Sequence, residues 1–377
     1  MLVVQNIFNI VMALFYTAVL QSRLRNITEK RQEHVLVMFL IGGALSILVV
    51  SLLYHLYPWR FAYALSRSDL LYHTLVVGTV EETGKFLTFL FLVSIVGGIK
   101  EPQDGAIYGA VVGIAFGVIE NITYFEQFRN WWLILRPILS TGGHAIYGAI
   151  WGGIYSQAVW ANRGDDDPGA TRNAFLGILA VAVLHGAYNA LPGGFFGMGF
   201  ALDAVGLALA IYLFRKLVER SPYRVYPLAQ ARSAVPVLKR GLVFNPWSPT
   251  LNRNLGIYLM RLKKYRAAAY HFRRSVPRSR DARRAQFFAA ACESTHLTRY
   301  HGHRALRIAW SRMTDKQRSD YYDQLVRIDR RDGKAVRIVD DFIAAAFKPR
   351  RIKTAREVAH AAKLRRAQRR TPRRPGA

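Results

Sequence analysis

Glu81, Glu82 and Lys85, in the segment VGTVEETGKFLTFLF, place two carboxylates and an ammonium inside an apolar run from Leu70 to Val96. At the centre of a membrane helix each such charge costs about 2.5–3.5 kcal/mol, so three in one span imply a use for them. Glu81 and Lys85 are four residues apart and are expected to pair on one helix face. Glu82 sits about 100° round the helix and has no such partner in its own span. An unpaired carboxyl in a dry span is suited to general acid or base chemistry.

Five more polar groups fall within apolar runs. Glu120 and Asn121 close GIAFGVIENITYF, His144 lies in STGGHAIYGAIWGG beyond Pro137, and His185 and Asn189 stand one turn apart in VAVLHGAYNAL. Counting along straight helices puts Glu81 and His144 roughly 18–21 Å below the outer surface and Glu120 and His185 roughly 9 Å, within reach of one shared cavity if the helices tilt. Any one of these is explicable as a contact between helices. As a set they supply a base, an acid and hydrogen-bond donors, which is what hydrolysis of an amide by an attacking water requires. Glu81, Glu82, Glu120, His144 and His185 would also accommodate a divalent ion such as zinc, although no HExxH occurs in the chain. No Ser-His-Asp arrangement is evident, and the single cysteine, Cys292, excludes an intrachain disulfide or a cysteine-based zinc site.

The elements that must position these groups are membrane helices. Hydrophobic residues make up 51% of the 377 residues while the net charge is +29, and the two properties are segregated: apolar spans up to Phe214, then Lys and Arg. Seven spans are expected, at Leu2–Leu20, Val35–Leu56, Leu70–Val96, Gly105–Phe125, Trp131–Trp160, Asn173–Leu191 and Phe195–Phe214, each near the length that a ~30 Å core demands. The first is followed directly by Arg23 and Arg25 and has no cleavage motif, so it reads as an anchor rather than a signal peptide. Lys and Arg collect after spans one, three, five and seven, which predicts an outside N-terminus and a cytoplasmic C-terminus. Trp59, Trp131, Trp132 and Trp160 lie near span ends, as in an interfacial belt. Gly105, Gly109, Gly113 and Gly117, with Gly148 and Gly152, are spaced for close helix packing.

EETGK, FGVIEN, a lone His in a glycine-rich span and HGAYN, in that order over residues 70–214, resemble the motifs of the PrsW family of bacterial intramembrane proteases, related to the larger CPBP group. The resemblance implies that Glu81 is the base activating water, that Glu82 assists it, and that His144 orients the water or protonates the leaving amine. His185 and Asn189 would donate to the oxyanion, and Lys85, Glu120 and Asn121 would support the set. It also implies a bacterial inner-membrane location and a membrane-protein substrate, an anti-sigma factor by analogy. The residues alone leave open a proton-coupled transporter, though no matching halves with interrupted helices are apparent.

Residues 1–218 thus form the expected protease domain of an all-α polytopic bundle. Residues 226–312 resemble tetratricopeptide repeats in Leu255, Gly256, Tyr265, Ala268 and Phe272, with a copy 34 residues earlier at Ala234, Leu238 and Leu242. A third unit is expected over Ala285–Trp310, then a helical extension over 313–347 formed by one helix from Thr314 to Phe347. Such repeats stack into a groove for a cytoplasmic protein or peptide. Residues 348–377 are dense in Lys and Arg with one acid, Glu357, which suits a disordered tail on anionic lipids. No aromatic residue interleaves those charges, which disfavours nucleic acid.

Overall fold

A computed structural model describes residues 1–24, 32–56, 70–162, 169–190, 196–278 and 281–346, and the regular elements among them are helical. The basic tail, Trp59, and most of the loop residues that set the expected orientation, among them Arg25, Lys30, Arg60, Arg67 and Arg163, lie outside the described residues. Two long helices, α1 (Leu2–Leu24) and α2 (Gln32–Leu56), come first. A single turn at Leu70–Tyr72 then runs through a π-helical turn at His73–Gly78 into α3 (Thr79–Ile95). The array is completed by α4 (Asp104–Phe128), a 3-10 turn at Trp131–Leu135, α5 (Arg136–Asn162), α6 (Gly169–Ala190) and α7 (Phe196–Glu219).

The helices coincide with the expected apolar stretches. Among the described residues, three segments are long and apolar enough to cross a membrane by length and composition: Leu2–Leu20, Glu33–Leu56 and Asp104–Phe128. Leu176–Ala190 is a shorter apolar helix. α3 is charged and shortened by its π-helical start, and α5 is diluted by Gly, Ser, Thr and His. The bundle is inverted relative to a water-soluble fold, with Leu40, Leu48 and Val205 on its outside and Glu82, Lys85, His144 and His185 within. An apolar exterior around buried ionisable groups is the arrangement expected of a protein immersed in lipid.

A glycine seam fixes the interior geometry. A Cβ on Gly109 would strike the carbonyl oxygen of Gly148, and one on Gly148 that of Gly109; Gly105 and Gly152 are related in the same way. At the third step Gly113 faces the carbonyl of His144, so the seam that joins α4 to α5 also seats the His144 backbone. On the other side of the site, Gly78 lies against Ala182 and Gly186 against Thr74, drawing the π-helical turn onto α6 next to His185.

Beyond residue 219 a second core forms from α8 (Ala231–Phe244), α9 (Pro249–Arg261), α10 (Tyr265–Ser275), α11 (Ala282–Ser294), α12 (Arg299–Ser311), α13 (Asp315–Asp329) and α14 (Lys334–Ala346). Alternate helices begin at residues 231, 265, 299 and 334, and the intervening ones at 249, 282 and 315. The single helix expected from Thr314 to Phe347 is instead a pair, α13 and α14. Arg330 turns the chain with φ 65°, and the buried Asp329 carboxylate accepts from the Ala335 and Val336 amides at the start of α14. This core meets the bundle where Arg240 Nη2 donates to the Trp160 and Ala161 carbonyls (2.6 and 3.0 Å), satisfying groups that the end of α5 leaves open.

Gly113→Ala should destabilise the chain by an overpacking cost of about 1–3 kcal/mol, because the His144 carbonyl must give way. Thermal denaturation in detergent tests this against Gly142→Ala, where a Cβ meets only the Tyr16 hydroxyl at 3.4 Å; that change should be neutral or mildly stabilising, as Ala is over Gly in a helix.

Candidate active site

Glu82, Lys85 and Phe89 of α3, in line with Gly78 at the end of the π-helical turn, are buried along one face, and this face points to the bundle centre. Lys85 therefore pairs with Glu82 (2.5 Å), one turn away, and not with Glu81 as the four-residue spacing suggested. The rotation of the helix decides between two partners that are both within reach, and it favours the carboxylate on the inward face.

Glu82 is fully buried and accepts three hydrogen bonds. Oε1 receives Lys85 Nζ and His185 Nδ1 (2.7 Å), and Oε2 receives Trp151 Nε1 (3.0 Å). Lys85, which as an ammonium can only donate, also contacts His144 Nδ1 at 3.1 Å. His144 Nδ1 is then the acceptor, and its Nε2–H points to Glu120 Oε2 at 2.9 Å. Each imidazole has one nitrogen committed by a carboxylate, the usual way of fixing a tautomer. In neutral His185 this leaves Nε2 with a lone pair, 3.7 Å from Glu81 Oε2. That Glu81 oxygen is buried and has no hydrogen-bond partner in the protein.

Glu120 and His144 were expected at different depths, and the structure places them at one level. α4 continues to Phe128 and α5 starts only at Arg136, so each residue lies eight positions from the adjoining helix end, about 12 Å at 1.5 Å per residue. Asn121 faces away from the cavity. It donates to Thr141 (2.9 Å) and Asn9 (3.1 Å) and accepts from Arg136 Nε (2.9 Å), binding α1 to α4 and α5. Asn189 lines the cavity beside Tyr188.

Four participants escaped the sequence reading. Arg136 pairs with Glu120 at 3.0 Å and lies over the Tyr124 ring. Trp151 completes the Glu82 shell. Tyr147 stacks on the His185 ring (5.5 Å) and donates to Asp203 Oδ1 at 3.4 Å. Asp203, in the run FALDAVG of α7, was legible by the same criterion as the glutamates, a carboxylate in an apolar span. Trp151 and Tyr147 carried no signal beyond their place on the helix of His144.

Glu82, His144 and His185 each offer a ligand atom within 4.8 Å of the others, all buried. One carboxylate and two imidazoles form the donor set of many catalytic zinc sites. The model of the PrsW family intramembrane metalloproteases matches residues 30–217 of this chain. This half of the chain belongs to the PrsW family. Among curated proteins, Protease PrsW of Shouchella clausii is 25% identical over 174 residues, 46% of this chain and 76% of that protein. Protease PrsW of Clostridioides difficile is 30% identical over 161 residues, 41% of this chain and 66% of the relative. That of Oceanobacillus iheyensis is 25% identical over 148 residues, 38% and 66%. No solved structure matches the chain significantly. The family match ends before the helices from α8 onward.

The donors fit a divalent ion only when the Lys85 ammonium vacates its place between Glu82 and His144 and His185 gives up the Nδ1 proton that it donates to Glu82. Lys85→Met should therefore leave Glu82 short of a cation, at a cost of about 3–5 kcal/mol, and zinc should replace it. Melting curves with and without zinc are expected to show a larger upward shift in Tm for Lys85→Met than for wild type; equal shifts would mean that the ion does not bind here.

Proposed function

We propose that the chain is an intramembrane endopeptidase that hydrolyses peptide bonds of membrane-protein substrates, an anti-sigma factor or similar regulator being the candidate class. All of α1–α7 cross the membrane, with the N-terminus outside and the C-terminal helices in the cytoplasm. The observation that carries the reading is the buried, unbonded Oε2 of Glu81 beside His185 Nε2. With Glu81 ionised and His185 neutral, both are proton acceptors, and a water molecule donating to each is the arrangement the proposal requires.

Glu81 takes a proton from that water while His185 Nε2 holds it, and the water oxygen bonds to the scissile carbonyl carbon. Asn189 donates to the oxyanion. An oxyanion role for His185 would need a proton on Nε2, which its bond to Glu82 through Nδ1 leaves absent in the neutral ring. Glu81 then passes its proton to the amine nitrogen as the C–N bond breaks. His144, held between Lys85 and Glu120, positions the array and completes the ion site with Glu82 and His185. A bound divalent ion such as zinc would polarise the carbonyl as a Lewis acid. A transporter reading finds no support in the relatives, which are named as proteases.

The helices from α8 to α14 support the tetratricopeptide-like reading through their start-to-start intervals of 33–35 residues, near the 34 of that repeat. They would offer a groove to a cytoplasmic protein or peptide, while residues 348–377 would contact anionic lipid.

In liposomes carrying a single-span model substrate, Glu81→Gln should lower cleavage by about 10²–10⁴, the usual worth of a positioned base. Asn189→Ala should retain more activity, and a chelator should abolish cleavage if the ion is required. Fragments identical in wild type and Glu81→Gln would overturn the assignment.

A further inference from the structure

On α8, Arg240 and Phe244 are one turn apart and both touch the end of α5. Arg240 donates to the Trp160 and Ala161 carbonyls, and the Phe244 ring stacks on the Trp160 indole at 4.1 Å and 14°. Val243 lies on the same side of α8, three residues from Arg240, and Trp247 follows in the turn. Both are exposed, Val243 at 62% and Trp247 at 65%. Arg274 of α10 stacks over Trp247 at 4.6 Å and donates to the Tyr270 hydroxyl at 2.7 Å, and Tyr270 is itself 49% exposed. A water-soluble domain rarely presents a valine, a tryptophan and a tyrosine beside an arginine with nothing to cover them.

Their position names the cover. α5 has 27 residues, about 40 Å at 1.5 Å per residue, enough to cross the whole bilayer including headgroups. Trp160 is two residues from its end, and so lies at the interface. A face of α8 that stacks on Trp160 is level with the lipid surface, and the groups it exposes are those of an interfacial anchor: indole, phenol and guanidinium. We propose that Val243, Trp247, Tyr270 and Arg274, with the exposed Lys239, form a docking surface for anionic lipid headgroups. It holds the C-terminal helices down on the membrane, independently of residues 348–377. The inference rests on the reading of α5 as a membrane span, and not on the catalytic one.

Nitroxide labels on the full chain in vesicles test this. Cys292 is fully buried, and burial pushes its thiol pKa up, so an introduced cysteine reacts selectively. Labels at Trp247→Cys and Val243→Cys are compared with Val205→Cys on the apolar outside of α7 and Tyr300→Cys on α12. In phosphatidylglycerol vesicles the labels at 243 and 247 should collide with a water-soluble nickel chelate several-fold less than the label at 300. Arg274→Glu, or vesicles of phosphatidylcholine alone, should raise that exposure.

Labels at 243 and 247 as wet as that at 300, while the label at 205 is in lipid, would overturn the docking surface and leave the bundle reading intact. A wet label at 205 would overturn the membrane premise and the proposal with it. Dipolar broadening between labels at 247 would assign the face to a second copy. Equal protection in both lipids would refute the anionic preference.

Discussion

Everything in the bundle interior answers to one buried carboxylate. Glu82 is shut off from solvent, and a charge in that position is tolerated only when it is paired and fully hydrogen-bonded. Its three donors come from three helices: Lys85 from α3, Trp151 from α5 and His185 from α6. The constraint then spreads outward. Lys85 engages His144, His144 engages Glu120, and Glu120 is met by Arg136. Charges alternate along this chain, so each group is held by neighbours of opposite or complementary character. Glu81 stands at its edge with an oxygen left over, and a group left unbonded in an otherwise satisfied network is where a substrate or water can be accommodated.

Close helix approach is what makes such short contacts reachable. Side chains as short as Glu and His can bridge helices only where backbones come near, and the glycine pairs along α4 and α5 and between the π-helical turn and α6 supply that nearness at both flanks of the site. The polar network and the glycine seam are therefore two halves of one design. Arg136, Asn121, Thr141 and Asn9 extend it to α1, a helix that contributes no group to the cavity but closes the α4–α5 pair near Phe128 and Arg136.

Much of this was readable in the chain. Charged and imidazole groups in apolar runs identified the participants, because their cost in lipid makes them conspicuous, and glycine spacing identified the seam. Pairing was not readable: Glu81 and Glu82 are both within reach of Lys85 and both are buried, and only the packing of Gly78 and Phe89 against neighbouring helices settles which one meets the ammonium. Depth was misjudged for Glu120 and His144 in opposite directions: the first helix runs on past Phe125 to Phe128, and the second starts at Arg136 and not at Trp131, where a 3-10 turn stands instead. The aromatic members, Trp151 and Tyr147, were hidden, since an apolar span full of aromatics gives no reason to single out either. In the C-terminal part, the turn at Arg330 was missed for a related reason: the Asp329 carboxylate that starts α14 acts through tertiary burial, which local sequence does not announce.

α5 carries His144 near one end and Trp160 near the other, with one of the close contacts of the seam, Gly148 on Gly109, between them. Taken as a stiff rod pivoting at that contact, its two arms are four and twelve residues long, about 6 Å and 18 Å at the rise of an α-helix. The gearing is about one to three. A sideways displacement of 1 Å imposed at Trp160 by the C-terminal helices would reach His144 as roughly a third of that. The same lever makes the long arm a sensitive reporter: a sub-ångström shift of the imidazole is magnified at the indole, where the stacked ring of Phe244 would register it.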